Sequence, residues 1–236
     1  DWCETHPEAA RIVNVEGTAQ VARAAARAGS RMVYISTDSV FDGLHGPYGE
    51  RDRPAPLNVY ARTKLAGERV ATEICPSCLV VRTNIFGWNA RPKNSLAEWM
   101  VESLRVGDGF TGFDNVCFNP LLVNDLGDAL LDLMARGLEG TVHVAASDSC
   151  SKYDFGIQVA QLFGCDARLI QKGRYSEEST GARRPLAPIL SVDYAQRLLG
   201  RTLPKVAEGL ARFKSMQDNG SVRDIRSMVE NTRDGK

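Results

Sequence analysis

Apolar residues fall into two rhythms that alternate along the chain. Met32-Val-Tyr-Ile-Ser36 is a short continuous run rich in β-branched and aromatic residues, which predicts a buried strand of a parallel sheet. Cys78-Leu-Val-Val-Arg82 and Thr141–Ala145 repeat that pattern. Around them lie segments with helical character. Residues 7–29 open on Pro7 and Glu8, continue through the Ala-rich run Ala19–Ala28 and stop at Gly29. Further helices are expected from Asn58 to about Glu73, over 95–105 with Leu96, Trp99, Met100 and Leu104 on one face, and at Asp125–Arg136, Lys152–Leu162, Asp193–Leu199 and Lys205–Lys214. Residues 110–123 read as strand or loop, and Arg168–Ile170 as a short strand. Residues 37–56 and 83–94 read as loops, and 216–236 as a polar tail with little to bury, expected to fray. Alternating strands and helices predict an α/β fold built on a mostly parallel sheet. Ligands of such sheets sit beyond the carboxyl ends of the strands, here Ser36-Thr37 and Arg82-Thr83.

Composition narrows the function classes. The 29 basic and 29 acidic residues balance, so charge gives no case for nucleic acid or an anionic membrane surface as partner. No apolar run approaches the roughly 20 residues that span a bilayer, and no signal peptide opens the chain; a cytoplasmic protein with reduced thiols is the expectation from its cysteines. Six cysteines are too sparse for a disulfide framework. Cys75-Pro-Ser-Cys78 forms a CxxC, but no second ligand pair follows, and it comes after a helix and before a strand, the reverse of a redox motif. No metal site is expected. The first residue is Asp1 rather than Met, which suggests a fragment.

The densest chemistry is Tyr60-Ala-Arg-Thr-Lys64, preceded by Ser36-Thr37-Asp38 at a strand end. Tyr60 and Lys64 stand one helical turn apart on the same face. An ammonium beside a phenol favours the phenolate, and a tyrosine so tuned exchanges a proton with a ketone or alcohol oxygen. Thr37 at the strand tip is positioned to hold the same oxygen. A Tyr-x-x-x-Lys spacing alone occurs on many helices. The order Ser-Thr-Asp, then Phe41-Asp42-Gly43, then Pro56-Leu-Asn-Val-Tyr60 is far more restrictive.

Tyr34-Ile-Ser-Thr-Asp-Ser-Val-Phe-Asp-Gly43, Pro47-Tyr-Gly-Glu50 and Pro56 to Glu68 together resemble the dTDP-4-dehydrorhamnose reductases, members of the extended short-chain dehydrogenase/reductases. Asp1-Trp-Cys-Glu4, Asn14-Val-Glu-Gly-Thr18 and Arg184-Pro185 are similar to further segments of that family. The resemblance runs to about residue 214 and is most specific over 1–82. It implies an NAD(P)-dependent reductase of a nucleotide-linked 4-keto sugar, using NADPH or NADH. Tyr60 would protonate the keto oxygen. Lys64 would bind the nicotinamide ribose and lower the Tyr60 pKa. Thr37 would hydrogen-bond the substrate oxygen. Ser36 and Asn84 would face the cofactor, and Asp38, Trp88 and Arg184 the substrate. Asn84 and Trp88 either contact a hexose or nucleotide, or cap and pack their own loop. Arg184, with Arg183, either pairs with a diphosphate or is solvated surface. Asn14 is expected to bond a neighbouring strand backbone.

The implied fold is a Rossmann-like doubly wound parallel sheet missing its N-terminal strands, with a smaller C-terminal substrate-binding domain. The cofactor domain is expected over 1–87 and 116–138, the substrate domain over 88–115 and 139–215. The glycine-rich fingerprint of Rossmann domains is absent from this sequence and is expected upstream of Asp1, so the chain alone should bind NAD(P) poorly and be inactive. Arg82-Thr-Asn-Ile-Phe-Gly-Trp88 also departs from the family pattern, leaving the sugar open. A homodimer is a further expectation. Phe41-Asp42-Gly43 and Pro54-Ala-Pro-Leu-Asn58 also resemble the regulatory subunit of methionine adenosyltransferase, a nucleotide-binding partner rather than an enzyme. A sugar-nucleotide epimerase or dehydratase of the same superfamily is the remaining alternative. Ser39, where dehydratases carry a second acid, disfavours dehydration.

Overall fold

The computed structural model describes residues 2–91, 94–176 and 181–234. Residues 92–93 and 177–180 of the expected substrate domain, and 235–236 of the expected tail, lie outside them. The chain runs through α1 (Trp2–Thr5), α2 (Pro7–Arg11), a wide π-helical turn (Ile12–Gly17) and α3 (Thr18–Arg27) into β1 (Val33–Thr37). A short 3-10 turn (Asp38–Val40) and a long loop lead to α4 (Val59–Ile74), β2 (Leu79–Thr83) and β3 (Ile85–Phe86). Then come α5 (Leu96–Arg105), β4 (Phe110–Phe113), β5 (Cys117–Phe118), β6 (Leu121–Leu122), α6 (Val123–Ala135) and β7 (Gly140–His143). β8 (Cys150–Ser151), α7 (Lys152–Phe163), β9 (Ile170–Gly173), α8 (Asp193–Leu199), α9 (Val206–Asp218) and α10 (Ser221–Asp234) complete the order. No helix among the described residues is long and apolar enough to cross a membrane.

β1, β2 and β7 form a parallel sheet in that order. Every residue of the central strand β2 is buried, as expected for a strand covered on both faces. Alternation along it separates two cores. Val80 packs with Tyr34, Ala22 of α3 and Ala71 of α4. Leu79 and Val81 pack with Leu126 and Leu133 of α6 and Ala195 and Leu199 of α8. This is the expected doubly wound layering. The division of the chain differs from expectation: β7 and α8 were assigned to the substrate domain, yet β7 pairs along β2 and α8 covers the sheet, while Phe86 and Phe118, expected in the cofactor domain, pack in the core formed by α5, α7 and α9.

Another core gathers α5, α7 and α9 around Phe86, Phe155 and Phe213. Trp88 belongs here, which corrects its expected place against the sugar. Its ring stacks on Phe213 at 4.1 Å between centroids, and its Nε1 donates to the Phe213 carbonyl at 2.8 Å. The two-residue strands β3, β5, β6 and β8 are too short to show a period, so their segments read as loop or ambiguous.

Two helical expectations change. The predicted helix over 7–29 widens at Ile12–Gly17, where β-branched Ile12, Val13 and Val15 and then Gly17 are weak helix formers. Asn14 there donates to the Thr63 hydroxyl of α4 at 2.9 Å, a helix side chain and not a strand backbone. α4 lies so close that a Cβ at Gly67 would overlap the Tyr34 hydroxyl and the Asn14 carbonyl. The polar tail is helical: α9 reaches Asp218, Gly220 turns the chain with φ +84°, and α10 follows. Val222 of α10 is buried, and Arg226 donates to Glu98, whose residue is 0% exposed, at 3.2 Å. A buried carboxylate supplied the partner that hydrophobic pattern could not announce.

A row of register partners crosses the sheet near its carboxyl ends: Ser36, Arg82 and His143. Arg82 makes a two-pronged ion pair with Glu68 of α4, through Nε at 3.0 Å and Nη2 at 2.7 Å, with both side chains buried. Ser36 donates to the same carboxylate. His143 donates from Nδ1 to the Tyr48 carbonyl at 3.1 Å, leaving Nε2 to accept from Arg82. Burial and the neighbouring guanidinium hold the His143 pKa down to about 4.

Three outcomes follow from this packing. Arg82→Met strands the Glu68 carboxylate and should cost about 3–5 kcal/mol by urea denaturation. The unfolded chain protonates His143 near pH 6.5 and the folded chain only near 4. Stability should therefore fall as pH drops through that window, by on the order of 1 kcal/mol per pH unit, and His143→Gln should flatten that slope. Trp88→Ala should cost about 3 kcal/mol, with Trp88→Phe, which keeps the stack on Phe213, recovering much of it in the same measurement.

Candidate active site

Thr37 ends β1 and caps the following turn, accepting from the Ser39 N–H at 3.2 Å. Asp38 is 2% exposed. Its Oδ1 accepts from the Thr37 and Ser39 hydroxyls, each at 3.1 Å, and its Oδ2 accepts from Asn84 Nδ2 at 2.6 Å. Three of the roughly four lone-pair sites of a carboxylate are thereby used. Burial raises the Asp38 pKa, opposed by the Asn84 hydrogen bond, the Lys152 charge and the two hydroxyls.

α4 begins where its first backbone N–H groups find oxygen partners. Asn58 accepts from the Ala61 N–H at 2.8 Å, and Glu4 of α1 accepts from the Val59 N–H at 2.6 Å. Asn58 Nδ2 also donates to the Arg183 carbonyl at 2.8 Å, tying the helix start to the far segment that carries Arg184. Tyr60 follows in the first turn and lines the same cavity wall as Thr37. Burial lifts the Tyr60 pKa above the ordinary phenol value, Thr37 opposes the rise, and the Asp38 charge adds to it. Lys64 donates to the Ile35 carbonyl at 2.7 Å and lies 4.1 Å from the Tyr34 ring centroid. Burial lowers its pKa, with Glu68 opposing.

This corrects one expectation. The ammonium was to depress the Tyr60 pKa, but it is drawn to the Ile35 carbonyl and the Tyr34 face, and Tyr60 moves upward instead. A phenol with a raised pKa stays protonated at neutral pH, which suits a proton donor.

Two cavities meet at these residues. One, of about 380 Å³, lies at the carboxyl end of the sheet against Ser36, Thr37, Lys64, Thr83 and the apolar side chains Ile35 and Ile85. The other, of about 370 Å³, opens toward the second core and is lined by Phe118, Lys152, Arg184 and Pro185 among others. Asp38, Ser39, Tyr60 and Asn84 line both. The structure thus brings Thr37, Tyr60, Lys64, Asp38 and Asn84 together, with Arg184 farther along the second cavity. Ser36 lines the first, although its hydroxyl is given to Glu68. Trp88 lines neither. Sequence reasoning missed Lys152, and it named the strand end of Thr83 without giving Thr83 a role. Thr83 was visible as a hydroxyl at a strand end, beside Arg82. Lys152 carried no local signal, since its neighbours Phe118 and Asp38 are remote in sequence.

The first cavity also tests whether a nicotinamide and its ribose fit these residues. The Thr83 hydroxyl is buried and has no hydrogen-bond partner among the described residues. An orphaned hydroxyl, an ammonium and two exposed isoleucines offer polar contacts at one edge and an apolar wall for a ring. The residues suit that end of the cofactor.

Comparison with known proteins agrees with this fold. The family model described as the RmlD substrate binding domain matches residues 1–218. The chain is similar to the probable low-salt glycan biosynthesis reductase Agl14 of Haloferax volcanii, 31% identical over 91% of this chain and 73% of that protein. It is similar to methionine adenosyltransferase 2 subunit beta of Danio rerio, 33% identical over 78% of this chain and 59% of that protein, so it spans well under two thirds of that relative's length. Among solved structures, dTDP-4-dehydrorhamnose reductase of Bacillus anthracis in complex with NADP superposes with a TM-score of 0.84 at 30% identity, covering 90% of this chain and 75% of that one. With a doubly wound sheet, a Thr37–Tyr60–Lys64 cluster at its carboxyl edge and a family match over nearly its whole length, the chain belongs to the RmlD substrate binding domain family.

Proposed function

We propose that this protein is an NAD(P)H-dependent reductase of a nucleotide-linked 4-keto sugar. The observation that carries the reading is the seam between the two cavities, which Tyr60 lines on both sides, with Thr37 beside it in the first. Similarity to reductases, one of them bound to NADP, supports it. When bound, the nicotinamide supplies a hydride. The first cavity would hold it through Lys64, Thr83 and the Tyr60 hydroxyl, while Ser36 braces the wall and Asn84 stands at the seam.

The substrate carbonyl would lie at the seam with its oxygen on Tyr60. As the carbonyl oxygen gains negative charge, Tyr60 gives it the phenolic proton. Thr37 turns its single proton from Asp38 toward the same oxygen, stabilising charge that exists only in the transition state. Asp38 and Asn84 fix the sugar side, and Arg184 meets the diphosphate with a planar fork of donors. A cytoplasmic site of action and a homodimer complete the reading.

The test is Tyr60→Phe in the full-length protein. Turnover, followed as NADPH oxidation with a dTDP-4-keto sugar, should fall by about a hundred- to ten-thousandfold while cofactor affinity is retained. Undiminished turnover would sink the proposal. A second reading, a nucleotide-binding regulatory subunit of a methionine adenosyltransferase, rests on the similarity to the zebrafish protein. An unmutated full-length protein that oxidises no NADPH but forms a stable complex with such a transferase would favour it.

A further inference from the structure

The substrate-side cavity holds a cation that the reaction above leaves unused. Lys152 is the first residue of α7, directly after β8, and its backbone N–H donates to the Val116 carbonyl at 2.9 Å. Its Nζ lies 3.3 Å from the centroid of the Phe118 ring, a residue itself 3% exposed. The ring covers one side of the ammonium. Among the described residues the ammonium has neither a hydrogen-bond acceptor nor a carboxylate within ion-pair distance. Its strongest charged neighbour is Asp38 across the cavity, and Arg184 acts on it as a like charge. Asp38, for its part, has one lone-pair site left after Thr37, Ser39 and Asn84. A donor without an acceptor and an acceptor with a vacancy therefore face one space, next to the Tyr60 hydroxyl.

We propose that Lys152 is a specificity-determining residue of this cavity: its ammonium and the Asp38 carboxylate grip one sugar hydroxyl beside the reacting carbon, the ammonium donating to it and the carboxylate accepting from it. A hydroxyl is the small group that can accept and donate at once. A deoxy sugar would leave two charged groups unpaired, which a buried site resists strongly. Arg184 lines the same cavity and acts on Lys152 as a like charge. The inference rests on the nucleotide-sugar reading, but not on turnover.

The experiment measures calorimetric binding of dTDP-glucose and of dTDP alone, without cofactor, to the unmutated protein and to Lys152→Met. The variant should lose about 10- to 100-fold in affinity for dTDP-glucose, the scale of a hydrogen bond to a charged group, and keep its affinity for dTDP. Retained dTDP binding also shows that the variant is folded. Lys152→Gln, which keeps a donor without the charge, should fall between the two. Equal loss for both probes would assign Lys152 to the diphosphate and overturn the proposal, as would no loss for either. An unmutated protein that binds neither probe would overturn it together with the nucleotide-sugar reading. Intact binding in a protein that fails to oxidise NADPH would sink the reductase alone.

Discussion

The buried ion pair between Arg82 and Glu68 is the constraint from which the site takes its geometry. Arg82 stands on the central strand and Glu68 on α4, one turn beyond Lys64. Their two parallel hydrogen bonds set the height of the helix against the sheet, and Ser36 adds the neighbouring strand to the same carboxylate. Thr37 and Thr83 follow Ser36 and Arg82 by one residue each and pair in register. The strand-end hydroxyls and the Tyr60–Lys64 face of α4 are therefore positioned by one polar knot beneath them. Such a knot stabilises little relative to apolar packing of the same volume, but it specifies one register of helix on sheet, and half of it alone is strongly destabilising.

Above the knot, hydrogen-bonding capacity is nearly used up. Asp38 takes three donors, Thr37 serves the Ser39 amide and Asp38, and Lys64 is bound to a backbone carbonyl. What remains free faces the cavities: the Tyr60 hydroxyl, the Thr83 hydroxyl, one lone pair of Asp38 and the Lys152 ammonium. Partial desolvation shifts these groups in useful directions, with Tyr60 kept protonated and Lys152 brought to a pKa of about 8. The second core contributes the opposite wall, because β5 and the start of α7 carry Phe118 and Lys152 to the mouth of the sheet.

Much of this was legible in the residues. The strands were visible as apolar runs, and the Ser-Thr-Asp strand end and Tyr-x-x-x-Lys helix marked the polar groups that the fold gathers at the sheet edge, since those motifs are local and read on one element each. Trp88 was misread because an aromatic after a strand looks alike whether it stacks on a sugar or on Phe213. The tail was misread because its anchor is the charge of Arg226 on the buried Glu98, which no hydrophobic period records. Lys64 was assigned a partner by helical spacing, but the ammonium answers to the Ile35 carbonyl on another element.

By itself the sequence determined the alternation of strands and helices, the two-sided burial of β2 and the identity of the groups at the strand ends, because propensity and period act over a few neighbouring residues. Only the tertiary structure decided that β7 and α8 join the sheet, that Tyr60 is raised and not lowered in pKa, and that Lys152 faces Asp38 across a cavity. Those outcomes depend on burial and on charges brought together from distant parts of the chain, and neither is a property of any local stretch.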